Sequence, residues 1–449
     1  MDMRTDPATV ATTVVTMLRE GRFDDLEELF APALAAAVSA DTVRTGWAAE
    51  TAKTGAIRTL GEVTTTPVDD QLTRAVVPVH CENGGLEVRL GIDAAGRLHG
   101  LRLAPPTESD WTPPRYATPR RFTEQEITLE CGPLTVSGTL TMPRGGRGRP
   151  GVVLIPSGAN DRDVTWGPNK PFKDLAWGLA GRGLAVVRFD KVTHVHTHMQ
   201  HEPGFTMVQE YLPNAIAAVR LLQQQPGVDP ARVFVAGQSG GGKAAVRVAA
   251  AESSIAGVVL LAADAVPLPR AAARIFDYVA GHGPAADMSA TLAGTAETIA
   301  RTEDPNLSLE TPSAELLFGW PASYWLDLRE FDQVATAAGL DRPILVVQGG
   351  RDYQVTEADD LARWRAGLDA LPNVSIQVFP ADDHMFFPGS GPSRPSDLQA
   401  PQHVDPAVVA AIADWLVPES SQGPLSRLLD RLVLQRHSGE WVAAAAVVG

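Results

Sequence analysis

The chain has 449 residues, 44% hydrophobic and 20% charged, with 53 acidic against 38 basic side chains and a formal charge of -15. That length suits two or three folding units, and that composition suits a soluble globular protein with a sizeable core. The acidic balance repels phosphate backbones and anionic lipid, so neither nucleic acid nor membrane is an expected partner, and no stretch approaches the ~18 consecutive apolar residues of a membrane span.

Met1 to Glu20 has no long apolar run behind a basic stretch, so no secretory signal is expected. The only cysteines, Cys81 and Cys131, are too few for a disulfide framework and read as reduced structural thiols of a cytoplasmic protein. Val10–Leu18 and Leu26–Ala37 carry helical spacing, and a third helical stretch ends at Trp47. Between Ile57 and Leu103 the pattern changes to short alternating runs, Ala75–Val79, Leu86–Leu90 and Leu98–Leu103, with a turn-like Asp93–Gly96 that fits a hairpin. Residues 1–110 are therefore expected to form a small α+β domain. Pro105, Pro106, Pro113, Pro114 and Pro119 mark a stiff linker, centred on residues 111–121.

From residue 122 to 418 strands and helices alternate. Strands are expected at Ile127–Leu129, Thr135–Thr141, Gly151–Ile155, Leu184–Arg188, Val233–Ala236, Ile255–Leu261, Ile344–Gln348 and Ser375–Phe379. Several are unbroken apolar runs, as parallel strands covered on both faces require. Helices are expected at Phe172–Gly181, Val208–Gln224, Lys243–Ala251, Ala358–Ala370 and Pro406–Leu416. The sum is an α/β fold with a doubly wound, eight-stranded sheet. Residues 265–342 interrupt the rhythm and read as a helical cap holding Trp320, Tyr324 and Trp325, three candidates for an apolar acyl pocket that equally suit packing of the cap. Residues 419–449 form a tail with no readable role.

Gly237-Gln-Ser-Gly-Gly241 lies between the strand Val233–Ala236 and a helix, the strand–turn–helix setting of the G-x-S-x-G nucleophile elbow. The serine of such an elbow sits on a sharp turn, so the residues two before and two after it cannot carry bulky side chains. Ser239 is the candidate nucleophile. A serine hydroxyl needs a base, and the base needs an orienting carboxylate, in chain order Ser, Asp, His. Asp352 follows the strand Ile344–Gln348 and His384 follows Ser375–Phe379, so both fall at the strand ends where Ser239 emerges. Asp382 and Asp383 are rival carboxylates, but a neighbour one or two positions away rarely reaches the imidazole. An oxyanion hole needs two N–H donors. Gly240 supplies one; Ser157 or Gly158 supplies the other, because Pro156 in the same loop has no N–H.

With these residues placed, residues 121–416 resemble bacterial α/β-hydrolases near the dienelactone-hydrolase and acyl-peptidase branch, and more narrowly serine esterases preceded by a small α+β domain. The phrases that carry the resemblance are Ser157-Gly-Ala-Asn-Asp-Arg-Asp163, Pro168-Asn-Lys-Pro-Phe172, Arg188-Phe-Asp-Lys191, the elbow, Gly349-Gly-Arg-Asp-Tyr-Gln-Val355 and Asp383-His384. The resemblance implies esterase-like activity on a small acylated molecule, with that triad and no metal or organic cofactor. Pro156 stands where such enzymes usually carry glycine, and Val192 where a second basic residue is usual.

His194, His196, His198 and His201 form a dense cluster that reads either as a metal site or as a loop over the active-site rim. No H-E-x-x-H pattern accompanies it, and the rim loop is the expectation. Arg162, Asp163 and Asp190 are expected to brace the oxyanion loop. The functions compatible with this constellation are hydrolysis of a carboxylic ester or thioester through an acyl-enzyme; a repurposed triad acting as acyltransferase or eliminating lyase, which requires water to be kept out; and a catalytically inactive binding protein, which an intact triad argues against. A peptidase is a further option among the hydrolases.

Overall fold

A computed structural model describes residues 6–67, 72–82, 84–104, 111–132, 134–282 and 288–417. Contacts divide the chain into two units, Met1–Trp111 and Thr112–Gly449. The tail at 419–449 and the linker prolines Pro105 and Pro106 lie outside the described residues.

The first unit has helices α1 (Pro7–Glu20), α2 (Phe23–Glu27), α3 (Pro32–Ala37) and α4 (Ala40–Thr54), then strands β1 (Ile57–Leu60), β2 (Thr64–Pro67), β3 (Leu72–Cys81), β4 (Gly84–Asp93) and β5 (Leu98–Ala104). The strands form an antiparallel sheet in the order β1-β3-β4-β5, with β2 also paired to β3. Helix α1 begins where the Asp6 carboxylate accepts from the Ala8 and Thr9 amides, a cap worth about 1 kcal/mol. Its apolar stripe Val10, Val14, Val15 and Leu18 packs with the inward residues of β3 and β4, among them Ala75, Val77, Val88 and Leu90. Two sequence expectations need correction here. Leu26–Ala37 is two short helices rather than one: Phe30 bridges to Leu98, and Pro32, which has no N–H to continue a helix, starts the second. The third helix does not end at Trp47 but runs on to Thr54, and Gly55 stops it.

In the second unit β6 (Phe122–Cys131), β7 (Leu134–Pro143), β8 (Arg149–Ile155), β9 (Ala185–Phe189), β10 (Val228–Gln238), β11 (Val258–Leu261), β12 (Ile344–Gly349) and β13 (Val374–Phe379) build one sheet, ordered β13-β12-β11-β10-β8-β9-β7-β6. β6 and β7 pair antiparallel, as do β7 and β9; the other pairings are parallel. β9, β11 and β12 are buried at every position, which is why they read as unbroken apolar runs. Helices α5 (Pro171–Gly181), α6 (Val192–Val195), α7 (Met207–Gln223), α8 (Gly240–Ala251), α9 (Leu268–His282), α10 (Met288–Glu303), α11 (Ala322–Glu330), α12 (Gln333–Ala338), α13 (Ala362–Leu368) and α14 (Pro406–Leu416) complete it. Residues of α7, α8 and α13 share one core with the sheet, and residues of α5 and α14 share the other.

The chain passes from β8 to β9 on one side, then returns to β10 on the other side of β8. The reversal is a topological switch point between β8 and β10, and open α/β sheets hold ligands outside the carboxyl ends of strands at such points. Helices α9 to α12 lie in the stretch between β11 and β12. Asp327 of α11 takes both Arg247 guanidinium nitrogens of α8 at 2.7 Å, and buried Asp360 accepts from the Ala265 and Val266 amides at 2.8 and 2.9 Å. Among the described residues no helix is long and apolar enough to cross a membrane.

Candidate active site

The strand β10 hands directly to helix α8, and Ser239 is the single residue between them. Its backbone sits at φ 56° and ψ -125°, a strained conformation for a residue with a side chain. It is held there by the Ser239 amide donating to the Leu261 carbonyl at 2.9 Å and by the Gly242 amide donating back to Ser239 at 2.9 Å. A methyl on Gly237 would strike the Gly241 carbonyl, and one on Gly241 would strike the Ile155 carbonyl. Those contacts explain the glycine spacing. They also explain why α8 starts at Gly240 rather than at Lys243 as expected: tight packing overrides the poor helix propensity of three glycines.

Asp352 and His384 stand on adjacent loops after β12 and β13. The His384 Nδ1 and Asp352 Oδ2 are 2.7 Å apart, and both residues are buried. The other oxygen, Asp352 Oδ1, accepts from the Gln354 amide at 2.7 Å and the Val355 amide at 2.9 Å. Two amides thus fix Asp352 Oδ1, and Asp352 Oδ2 meets the imidazole. Burial disfavours a charged His384, but the Asp352 charge and hydrogen bond outweigh it and raise the imidazole above its ordinary value. The rival Asp383 is otherwise engaged, with Oδ1 accepting from the Met385 and Phe387 amides at 2.9 and 3.0 Å. Burial raises its carboxyl, and those amides only partly offset the effect. Asp382 lies buried near Asp405, and burial together with that like charge pushes it up to about 7.

The loop after β8 brings Ser157 to the elbow: a Cβ placed on Gly240 would lie 3.1 Å from Ser157 Oγ. Gly158 follows at φ 56°, a left-handed conformation that glycine tolerates. The Asn160 side chain donates to the Ser157 carbonyl at 2.7 Å. Below this loop Arg162 pairs with Asp190 at 2.9 Å, while Asp163 pairs with Arg188 at 2.7 Å and Lys170 at 3.5 Å. The imidazoles of the histidine cluster face backbone: His194 meets the Ala159 carbonyl at 3.1 Å, His196 the Thr135 carbonyl at 2.9 Å and His201 the Gly319 carbonyl at 3.3 Å. His196 and His198 have ring centroids 6.3 Å apart. Among the described residues no group of three or more His, Cys, Asp or Glu side chains is placed to hold a metal ion.

Trp320, Tyr324 and Trp325 gather into one aromatic cluster, Trp320 lying edge-on to Tyr324 at 4.8 Å and stacked on Trp325 at 5.3 Å. Tyr324 and Trp325 are buried, and the Tyr324 hydroxyl donates to Glu210. Sequence reasoning missed several residues at this end of the sheet. Gln238 donates to the His384 carbonyl at 3.0 Å and so ties the elbow strand to the histidine loop. Lys243 pairs with Asp264 at 2.7 Å, and Lys191 with Glu210 at 2.8 Å. Lys191 also donates to the Tyr211 hydroxyl at 2.8 Å. All six of these charged or phenolic partners, Lys191, Glu210, Tyr211, Lys243, Asp264 and Tyr324, are buried. For Glu210 and Lys243 the signal available in advance was a charged residue inside an otherwise apolar helix; Gln238, Lys191 and Asp264 lie outside helices and gave none.

A mostly parallel eight-stranded sheet, with a serine on a strained elbow and a histidine–carboxylate pair on the loops after the last two strands, defines an α/β-hydrolase. No family model matches the chain. It is 36% identical over 338 residues to Esterase EstD of Thermotoga maritima, covering 75% of this chain and 77% of that protein. The chain belongs to the EstD esterase family. Solved structures that the chain matches include Est1E from Butyrivibrio proteoclasticus (17% identity, TM-score 0.43, 66% of this chain and 99% of that one). Another is an esterase of Pyrococcus furiosus (17% identity, TM-score 0.41, 63% of this chain and 89% of that one). The family assignment rests on the EstD relationship.

Proposed function

We propose that this esterase cleaves a carboxylic ester or thioester of a small molecule by attack of Ser239 Oγ on the scissile carbonyl. His384 takes the serine proton, and Asp352 holds the imidazole in the tautomer that presents its other nitrogen to the nucleophile. The Gly240 amide and an amide of Ser157 or Gly158 receive the oxyanion. Collapse of the tetrahedral adduct releases the alcohol or thiol, which takes the proton from His384, and water then frees the acid by the same route. The observation that carries this reading is the 2.7 Å contact between His384 Nδ1 and Asp352 Oδ2, made by a carboxylate whose second oxygen is already fixed by two amides.

Residues 265–342 act in this account as a cap that governs substrate choice, with Trp320 and its aromatic neighbours shaping the acyl pocket. The two unpaired thiols agree with a cytoplasmic protein. A panel of p-nitrophenyl esters and acyl thioesters, followed by mass spectrometry, tests the mechanism. The expected result is free acid as product and a transient acyl mass on the peptide carrying Ser239, with the acyl-length preference altered in Trp320→Ala. Acyl transfer to an added alcohol in place of free acid would make the protein a transferase, and an acyl mass on another residue would refute the nucleophile.

A further inference from the structure

The elbow carries more polar side chains than a triad and oxyanion hole need. A Cβ built on Gly240 would lie 3.1 Å from Ser157 Oγ, 3.9 Å from Asp264 Oδ1 and 3.9 Å from Tyr211 Oη. Three oxygens from three separate parts of the sheet therefore converge on the residue whose amide faces the oxyanion. Ser157 comes from the loop after β8, Tyr211 from α7, and Asp264 from the segment following β11. Only 9% of the Asp264 side chain is exposed. Its Oδ2 receives Lys243 Nζ at 2.7 Å, but its Oδ1 has no hydrogen-bond partner among the described residues.

A buried carboxylate oxygen without a donor is costly, and each such atom in a folded protein asks for an explanation. Asp264 pairs with the Lys243 ammonium as a carboxylate, and a carboxylate can only accept. The missing partner must therefore be a donor, and it must reach a point beside Gly240. Asp264 is balanced by Lys243, and Glu210 close by is balanced by Lys191. A group that donates to Asp264 and also meets the Tyr211 hydroxyl must accept as well as donate, which a hydroxyl can do and an ammonium group cannot. The neighbouring Tyr211 hydroxyl already accepts from Lys191, so its own proton remains available to the oxygen of the same incoming group.

Building on the esterase mechanism above, we propose that Asp264 Oδ1 is a specificity determinant that accepts a hydrogen bond from a hydroxyl group carried by the substrate close to the scissile carbonyl. The preferred substrates are thus hydroxylated esters rather than plain aliphatic ones. Each side of the ester bond is tested with a near-isosteric pair. On the acyl side the pair is p-nitrophenyl 3-hydroxybutyrate and p-nitrophenyl 3-methylbutyrate. On the alcohol side it is 2-hydroxyethyl butyrate and propyl butyrate. The wild-type enzyme should favour the hydroxylated member of at least one pair in kcat/KM by roughly tenfold to a hundredfold, the range expected for a hydrogen bond to a charged group. The double variant Asp264→Leu with Lys243→Met removes the acceptor without stranding the lysine, and there the ratio should fall to near unity. Asp264→Asn should reduce it severalfold, since a charge-assisted bond is exchanged for a neutral one. Each ratio is read within one preparation, so partial loss of folded protein cancels. Equal rates within both wild-type pairs, or a wild-type preference that survives in the double variant, would overturn the assignment of Asp264. Fluorophosphonate labelling of the same wild-type preparation separates the two levels of the argument. Absence of label on Ser239 refutes the serine mechanism itself, whereas labelled enzyme without a hydroxyl preference refutes only the role of Asp264.

Discussion

At the scale of single residues the choice between acids decides how the histidine works. Asp352 and Asp383 are both buried beside His384, but their hydrogen bonds differ in kind. Asp352 gives one oxygen to the imidazole, while the Asp383 oxygen that bonds at all serves the turn Asp383–Phe387. Asp352→Asn should therefore lower the turnover rate by a factor on the order of 10⁴, through loss of tautomer control. Asp383→Asn should cost less than about tenfold, because the amide oxygen can still accept from the turn. Steady-state rates of the two variants on one ester check this, and the reverse ranking would show that the acid is misassigned. The candidate residues Ser239, His384 and Asp352 stood out in the sequence because an elbow and two strand ends leave few positions for them. Asp264, Lys243, Gln238 and Tyr211 were not legible. Each is one polar residue in a segment read for its apolar neighbours, and its role exists only once β8, β10 and β11 lie side by side.

At the scale of elements, β9 and β12 were readable because they are buried at every position, and helix α14 because its start is marked locally. Pro406 at the first turn and Asp405 capping the Ala407 amide at 2.7 Å mark the α14 start. The break at Phe30 was hidden, because its cause is a bridge to Leu98, nearly seventy residues away. The two loops bearing Asp352 and His384 are likewise interlocked by contacts with no local pattern. The Arg351 amide donates to the Asp382 carbonyl at 2.8 Å, and a methyl on Gly349 would enter the Asp382–Asp383 backbone. The elbow obeys the same rule. Gly237→Ala adds a single carbon against the Gly241 carbonyl, where nothing flexible can yield. The variant should lose at least about 1–3 kcal/mol of stability, the usual cost of overpacking, together with most Ser239 labelling by a fluorophosphonate. Melting curves and labelling read out both effects, and a Gly237→Ala protein as stable and reactive as wild type would contradict the elbow geometry.

At the scale of the whole molecule, the loop bearing the histidine and the start of the last helix meet through two carboxyl groups. Burial, and after it the charge of Asp405, push Asp382 up to about 7, against about 3.9 for an unperturbed aspartate. The folded protein therefore holds a proton that the unfolded chain releases between those values. Stability from this group is present at low pH and is lost as the pH rises from about 4 through about 7. Asp382→Asn removes the titration and leaves an amide able to donate to Asp405. Its melting temperature should exceed that of wild type by roughly 3 °C or more at pH 8 and by less at pH 5. A difference that does not grow with pH, followed by calorimetry, would show that Asp382 does not titrate near 7 in the folded protein. Whether this member of the EstD family acts through Ser239 as a covalent nucleophile is decided by comparing wild type with Ser239→Ala. Fluorophosphonate should label Ser239 stoichiometrically in the wild-type protein, and the folded variant should take no label and hydrolyse the ester more slowly by about 10⁴ or more. A Ser239→Ala protein that hydrolyses the same ester within about tenfold of the wild-type rate, measured against that expected loss, would contradict that assignment.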